Sequence, residues 1–282
     1  MADPGQENVA HIQVDSDLAE TDSSYGDDSQ STHSLYSTIT NYVYENGRRY
    51  HSYQQGSYWG PNDDAALDNL DLYHHLFTST LGGELFLAPI GPDPQRVLDL
   101  GTGTGIWAMD FADQFPSAAV IATDLSPIQP VMVPPNLQFQ IDDFCLPWTF
   151  TPPASFDFIH ARCIYGCVAD YPALYAQVLE HLKPGAWFEH AEISVVARCD
   201  DDSLAGTYLN RWGPLALTAG ERFGKSFRIA EDMAELMRAA GFVNWTPEQV
   251  HVLVAHLRKD LRNPSIHAYQ YMYICYGQKP ER

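Results

Sequence analysis

Short apolar blocks alternate with amphipathic segments along the middle of this chain. Between the blocks, Ile106–Phe115 and Leu174–Leu182 carry apolar residues at helical spacing, and Lys183-Pro184-Gly185 is a helix stop. Apolar strands that alternate with helices predict an α/β fold whose parallel sheet is covered on both faces. Five blocks have the length of buried strands: Val97–Leu100, Ala119–Thr123, Leu137–Ile141, Phe156–Ala161 and Trp187–Val196.

The last third of the chain has a mainly helical pattern. Leu204–Phe223 and Ala230–Ala240 both show helical periodicity. Thr246 followed by Pro247 is typical of a helix start, with Thr as the N-cap and Pro in the first turn, and it predicts a helix over Pro247–Leu261. An aromatic strand, Tyr269–Tyr276, is predicted to follow.

The N-terminal part divides into two segments of different composition. Residues 1–34 are rich in Asp, Ser, Gln and Thr and poor in large apolar side chains, so we predict a disordered acidic leader. Residues 35–94 are dense in tyrosine and then show a helical pattern after Asn62-Asp63-Asp64, which predicts an N-terminal helical cap. The main domain is predicted to span residues 95–282.

A glycine-rich run follows the first strand of the main domain and reads Val97-Leu98-Asp99-Leu100-Gly101-Thr102-Gly103-Thr104-Gly105. Glycine lets the backbone turn tightly and brings N–H groups close to a ligand. The spacing differs from the dinucleotide fingerprint G-x-G-x-x-G. Asp99 instead favours S-adenosylmethionine, whose amino-acid moiety presents a cation to a carboxylate. The alternative is a glycine-rich turn that binds nothing.

Acidic residues also end the next two strands. Asp124, followed by Leu125, lies 23 residues after Gly101, where an acid accepts hydrogen bonds from ribose hydroxyls in nucleotide-binding units. Asp142-Asp143 ends the third strand, where a carboxylate can bind the exocyclic amine of adenine. Each acid alone could instead be a helix cap or a solvated turn residue. Because ligands bind beyond the carboxyl ends of the strands in open α/β sheets, the acids together favour a nucleotide-type ligand.

Several strings resemble the fungal LaeA-like class I S-adenosylmethionine-dependent methyltransferases. They are Gly47–Tyr53, Pro61–Asp64, Ala122–Pro130, Val133–Asn136, Asp142–Phe144, Phe156–Arg162 and Asn263–Tyr269. The resemblance covers residues 36–279. It implies a Rossmann-like, doubly wound, mostly parallel sheet of seven strands, with an aromatic cap over the cofactor S-adenosylmethionine. It also implies a role in fungal secondary metabolism, either as a pathway enzyme or as a regulator with protein partners.

The chain departs from the family pattern after Phe242. Family members carry a longer segment before the helix expected near Trp245, and here only Val243 and Asn244 remain. That segment normally supplies a strand and helices beside the acceptor pocket. The sequence alone leaves open whether the sheet and the acceptor pocket are complete.

Methyl transfer needs proximity and in-line alignment, and it needs a base only if the acceptor must lose a proton. His160 ends the fourth strand, beside the expected position of the methyl group, and His190 lies on the fifth. Either imidazole is a candidate general base because its unperturbed pKa is near neutrality. The alternative for both is a strand residue satisfied by its neighbours. The predicted cofactor-binding residues are Asp99, Gly101, Thr102, Gly103, Gly105, Asp124, Leu125, Asp142 and Asp143.

Composition narrows the choice of partners. The formal net charge of −20 argues against unaided binding to nucleic acid or to anionic membranes. No apolar run reaches the roughly 18–20 residues of a membrane span, and the chain start lacks the pattern of a signal peptide. The five scattered cysteines show no zinc-site spacing, so we expect reduced thiols and no bound metal. We therefore expect a cytoplasmic protein, with the nucleus as an alternative.

These observations predict a methyltransferase that modifies O, N or C of a small aromatic or polyketide-like metabolite. The alternative is a regulatory protein that keeps the cofactor fold without turnover and acts through a protein partner. An NAD-dependent oxidoreductase is disfavoured by the glycine spacing.

Overall fold

Within the described residues, a hairpin and a helix precede the main sheet. The computed structural model describes residue 39, residues 41–252, residue 263 and residues 265–281. Strands β1 (Val43–Glu45) and β2 (Arg48–Tyr50) pair antiparallel, and helix α1 (Asp64–Thr80) follows. The Asp63 side chain caps α1 by accepting the backbone N–H of Ala66, so the helix begins within Asn62-Asp63-Asp64, where the sequence pattern changes. The predicted disordered leader, residues 1–34, lies outside the described residues.

A seven-stranded sheet forms the centre of the fold, in the order β5-β4-β3-β6-β7-β9-β8. The five strands from β5 to β7 run parallel to one another, and β9 pairs antiparallel with both β7 and β8. This mostly parallel sheet confirms the predicted α/β class. Its strands are β3 (Arg96–Leu100), β4 (Ala119–Asp124), β5 (Leu137–Ile141), β6 (Phe156–Arg162), β7 (Leu182–Ile193), β8 (Val243–Val252) and β9 (Gln270–Gln278).

Helices cover both faces of the sheet, as the apolar strands require. In β6, the residues from Phe158 to Ala161 are all buried, so both sides of this central strand pack against other residues. One core cluster contains Trp107 and Phe111, and a second contains Tyr175 and Phe188. Within the described residues, no helix is long and apolar enough to cross a membrane. The helices after α1 are α2 (Ile106–Gln114), α3 (Tyr171–His181), α4 (Tyr208–Phe223) and α5 (Ile229–Ala240).

The helix predicted over Pro247–Leu261 is wrong at its start. Residues Val243–Val252 form strand β8, which pairs with β9, and residues 253–261 lie outside the described part of the chain. The local start signal at Thr246 is overridden by pairing with an aromatic strand far along the chain. Pro247 is tolerated because β8 is an edge strand, where a missing N–H breaks no central ladder. The sheet therefore reaches seven strands despite the short segment after Phe242.

Candidate functional site

A pocket opens at the carboxyl edge of β3, β4, β5 and β6, where the sequence places its acids. The predicted residues that line the pocket are Asp99, Gly101, Thr102, Gly103, Asp124, Leu125, Asp143 and His160. The pocket lining does not include Gly105, Asp142 or His190. The structure thus brings most of the predicted cofactor residues together, and it separates the two candidate bases.

The glycine turn fits tightly between β3 and α2. Gly101 and Gly103 both have positive φ angles, of 67° and 60°. A Cβ on Gly101 would lie 3.2 Å from Phe144 and from Ile164, and one on Gly103 would lie 3.1 Å from Leu70. A side chain at either position would therefore strain the backbone and crowd the pocket wall.

Gly105 has a different task from the other two glycines. It is the N-cap of α2, with a φ of 81°, and a Cβ there would lie 2.3 Å from the Phe139 ring. The residue is glycine because β5 packs directly against the start of α2. Gly105 supports the pocket from behind and does not line it.

Asp124 connects the end of β4 to the glycine turn. Its Oδ2 accepts the Gly103 N–H at 2.8 Å, and its Oδ1 accepts the Ser126 N–H at 2.9 Å. Burial raises the pKa of Asp124 to about 6, although these two backbone donors oppose the shift. The carboxylate thus holds the backbone of the glycine turn and also presents an acceptor to the pocket.

The two acids after β5, Asp142 and Asp143, have different roles. The Asp142 N–H donates to the Asp124 carbonyl oxygen at 3.0 Å, and its Oδ1 accepts the Asp143 N–H at 2.8 Å. Asp143 accepts the Cys145 N–H at 3.0 Å and lines the pocket. Asp142 holds the turn, and Asp143 faces the ligand space.

Asp99 and His160 form a buried pair on neighbouring strands. Asp99 Oδ1 lies 2.7 Å from His160 Nδ1, and the two residues are in register across β3 and β6. The imidazole stacks on Trp107, with ring centroids 3.7 Å apart and an interplanar angle of 5°. Burial lowers the pKa of His160, and the hydrogen bond to Asp99 opposes this. The pair fixes the position of both side chains at the pocket wall.

Thr102 presents an unpaired polar atom. Its Oγ1 is buried and has no hydrogen-bond partner among the described residues, while its N–H donates to the Thr123 carbonyl oxygen at 2.9 Å. Buried hydroxyls are normally hydrogen-bonded, so this one is available to a ligand in the pocket that Thr102 lines.

His190 is part of the core behind the pocket. It is fully buried, with Nδ1 2.8 Å from the Tyr175 hydroxyl and Nε2 3.0 Å from Glu192 Oε1. Glu192 Oε1 also accepts the Ile164 N–H at 2.7 Å, so this network reaches a residue of the pocket wall. Both imidazole nitrogens are engaged by core side chains, as expected for a strand residue satisfied by its neighbours.

Comparison with known proteins identifies the family. The family model described as "Methyltransferase domain" matches residues 73–246. Methyltransferase pytC of Aspergillus terreus is 40% identical over 253 residues, which covers 89% of this chain and 76% of that protein. The chain belongs to the LaeA-like methyltransferases.

One further relative of this methyltransferase is named as a regulator, and another as a protein-methionine methyltransferase. The secondary metabolism regulator LAE1 of Cochliobolus heterostrophus is 40% identical over 211 residues, covering 73% of this chain and 68% of the regulator. The protein-methionine methyltransferase laeA of Emericella nidulans is 33% identical over 287 residues, covering 84% of this chain and 76% of that protein. The family model and these relatives confirm the predicted methyltransferase of the LaeA-like family.

The methyltransferase fold also matches solved structures. A phosphoethanolamine N-methyltransferase of Haemonchus contortus superposes with a TM-score of 0.52 at 16% identity, covering 89% of this chain and 73% of that one. A Haloferax volcanii methyltransferase, solved with its Trm112 activator, has a TM-score of 0.51 at 18% identity, covering 80% and 98%. These likenesses establish the fold of the methyltransferase.

Sequence reasoning missed several pocket residues of the methyltransferase, among them Asn62 and Lys225. Asn62 Nδ2 donates to Ser126 Oγ at 3.1 Å, which ties the cap to the β4 turn. Lys225 Nζ donates to the Ser57 carbonyl oxygen, which ties the segment after α4 to the cap. The string Pro61–Asp64 was a signal for Asn62, whereas Lys225 follows a helix end and has no local signature.

Proposed function

We propose that this methyltransferase binds S-adenosylmethionine in the pocket beyond β3–β6 and methylates a small aromatic or polyketide-like metabolite. The observation that carries the proposal is the meeting of three strand ends, through Asp99, Asp124 and Asp143, in one pocket. One relative is named for secondary metabolism, which supports a role of this methyltransferase in that metabolism.

The polar groups of the pocket fit S-adenosylmethionine. The Asp99 carboxylate suits the ammonium of the methionine moiety, and Asp124 suits the ribose hydroxyls. Asp143 suits the exocyclic amine of adenine, with Leu125 against its ring. Thr102 Oγ1 is a buried hydroxyl that gains a partner when the ligand is bound.

The glycine positions add room to this set of donors and acceptors. Gly101 and Gly103 leave space that a Cβ would fill. Gly105 and Asp142 act one layer behind, by starting α2 and by holding the backbone of Asp143.

Bound S-adenosylmethionine supplies a methyl group on a sulfonium, which is an electrophile without further activation. The chain's own part is to align the acceptor and to exclude water. Where an acceptor must lose a proton, His160 takes it. Nδ1 faces Asp99, so Nε2 is the atom that receives the proton, and burial keeps the ring neutral near neutral pH.

Aromatic side chains support an aromatic acceptor. Tyr58 and Tyr73 line the pocket. Behind them, the rings of Trp59, Tyr165 and Phe227 lie with centroids 5.3 to 5.6 Å apart. The rings of Tyr58 and Tyr73 are the ones that can stack against a planar ligand in the pocket.

Isotope transfer tests the proposal. Purified full-length protein is incubated with S-adenosylmethionine that carries a deuterated methyl group and with an extract of small metabolites from a strain that lacks the gene. The expected result is a labelled metabolite that is depleted in its methylated form in the deletion strain. Label on no small molecule, despite binding of the cofactor, contradicts the proposed acceptor.

A second candidate is regulation of secondary metabolism through a protein acceptor or partner. The names of the relatives LAE1 and laeA favour it. In the same incubation with total protein, this candidate predicts label on a polypeptide. A scaffold without turnover predicts that a deletion strain complemented with Gly103→Asp regains its metabolite profile.

The compartment follows from the same choice. A pathway enzyme acts in the cytoplasm, and a regulator acts in the nucleus. Imaging of the tagged full chain, combined with the labelling result, separates the two.

A further inference from the structure

Arg162 lines the cofactor pocket without a carboxylate partner. It follows His160 by two residues on β6, so both side chains lie on the face that carries Asp99. Among the ion pairs of the described residues, none includes Arg162. The nearby carboxylates are already engaged, Asp99 with His160 and Glu189 with the N–H groups of the segment before β3.

The guanidinium is nevertheless held in one orientation. Its Nη2 lies 3.1 Å from His74 Nδ1, and its Cζ lies 5.1 Å from the centroid of the Phe77 ring. Both partners come from α1, the helix of the cap. Arg162 remains charged although burial lowers its pKa, and of its five donors the described residues engage the one at Nη2.

His74 connects Arg162 on one side to Asp110 of helix α2 on the other. Arginine can only donate, so His74 Nδ1 accepts, and its Nε2–H must donate to Asp110 Oδ2 at 2.9 Å. The ring is therefore neutral, in agreement with the lowering of the His74 pKa by burial and by the Arg162 charge. Asp110 lies on α2, directly after the glycine turn.

A charged, oriented fork that faces a pocket needs an anion. The methionine moiety of S-adenosylmethionine carries an ammonium and a carboxylate on one carbon. Asp99 suits the ammonium, and Arg162 is the cation on the same face of the neighbouring strand. A planar carboxylate matches the guanidinium in two parallel hydrogen bonds.

We propose that Arg162 binds the α-carboxylate of the methionine moiety and that His74 is the residue that positions it. The inference rests on the proposed cofactor site and deepens it. It makes the end of β6 a recognition element for the amino-acid part of the donor, independent of the acids that recognise the nucleoside.

A pair of ligands tests the inference by calorimetry on the purified full chain. S-adenosylhomocysteine carries both the amine and the carboxylate. Its decarboxylated analogue, 5′-(3-aminopropylthio)-5′-deoxyadenosine, keeps the amine but has no carboxylate. Arg162→Met should weaken binding of S-adenosylhomocysteine by about 10- to 100-fold and change binding of the analogue by less than about twofold. Arg162→Lys should restore part of the loss, because it restores the charge without the fork.

Two variants of His74 test its positioning role separately. His74→Phe should weaken the binding of S-adenosylhomocysteine by about fivefold to tenfold and leave the binding of the decarboxylated analogue unchanged. His74→Asn should recover much of this, because its side-chain oxygen replaces the acceptor at Nδ1. Asp124→Asn is the matched control, since it should weaken both ligands by the same factor.

The outcomes separate the two proposals. If the folded wild type binds neither ligand, the proposed cofactor site fails and this inference fails with it. If the wild type binds S-adenosylhomocysteine and Arg162→Met weakens both ligands equally or neither, only the role of Arg162 is overturned. Thermal unfolding of each variant shows whether it is folded before titration.

Discussion

The carboxylate of Asp124 accepts the backbone N–H of Gly103 at 2.8 Å, so the acid that ends β4 fixes the glycine turn that follows β3. One contact thus joins the two sequence features that indicated a nucleotide-type ligand. Burial raises the pKa of this carboxyl group to about 6, so its charge changes under mildly acidic conditions. Ribose hydroxyls donate hydrogen bonds and favour the ionised form.

Cofactor affinity should therefore depend on pH through Asp124. We expect the affinity for S-adenosylhomocysteine to rise from about pH 5 to about pH 7 and to level off above that, because deprotonation completes the acceptor. Asp124→Asn should weaken binding at about pH 8 by about 10- to 100-fold and should remove the pH dependence. Calorimetric titrations across this range measure both effects.

Asp142→Asn is the control for this experiment, because Asp142 is adjacent to Asp143 and does not line the pocket. It should keep the pH dependence of the wild type. A flat affinity profile in the wild type contradicts the role given to Asp124.

Gly105→Ala should destabilise the protein strongly. Its Cβ would lie 2.3 Å from the Phe139 ring, at a φ of 81°. Overpacking and left-handed strain together should lower the free energy of unfolding by about 2–4 kcal/mol. Gly82→Ala is the matched control, since Gly82 has a φ of 70° and open space around it, and it should cost about 1 kcal/mol. Denaturant unfolding compares the two, and equal losses would show that the contact with β5 is unimportant.

Stability should fall as the pH rises, because of Glu189. Its Oε2 accepts the Leu87 and Ala88 N–H groups at 2.7 Å each, and burial still raises its pKa to about 7 from 4.5. A raised carboxyl pKa means that the folded state holds the proton more tightly than the unfolded chain. Its contribution to stability is therefore complete below about pH 4.5 and is lost as the pH rises through about 7.

Glu189→Gln should remove this part of the pH dependence. The shift corresponds to at most about 3 kcal/mol between the two limits. Urea unfolding at several pH values measures the slope. Asp124 contributes in the same direction, so a smaller decline should remain in the variant. An unchanged slope in Glu189→Gln contradicts this assignment.

Tyr175→Phe should separate core stability from cofactor binding. The variant leaves His190 Nδ1 without its buried donor and should cost about 1–3 kcal/mol of unfolding free energy. The affinity for S-adenosylhomocysteine should change by less than about twofold, because His190 does not line the pocket. Unchanged stability with loss of methyl transfer would instead favour His190 as the base.

The acids of the site were predictable because they end strands. The carboxyl ends of parallel strands meet at one edge, so Asp99, Asp124 and Asp143 lie close together whatever the rest of the chain does. The α/β class followed in the same way from apolar blocks of strand length. These are local patterns with a single structural outcome.

The other features depend on contacts between distant segments. His160 and His190 both lie on central strands, but the register pairs His160 with Glu189 and His190 with Ala161, so the two imidazoles lie on opposite faces of the sheet. This register depends on the pairing of β6 with β7 and is not a local signal. Arg162 acquires its role from His74, 88 residues away in sequence. The start signal at Thr246 gave a helix where pairing with β9 gives a strand.

The most direct test of the cofactor site is a calorimetric titration of S-adenosylhomocysteine into the full-length wild type and into Gly103→Asp. The substitution places a side chain at a φ of 60°, 3.1 Å from Leu70, and adds a fourth carboxylate to those of Asp99, Asp124 and Asp143 in the pocket. We predict saturable binding in the micromolar range for the wild type and no detectable binding for the folded variant. No binding by the folded wild type, or equal binding by both proteins, would contradict the account.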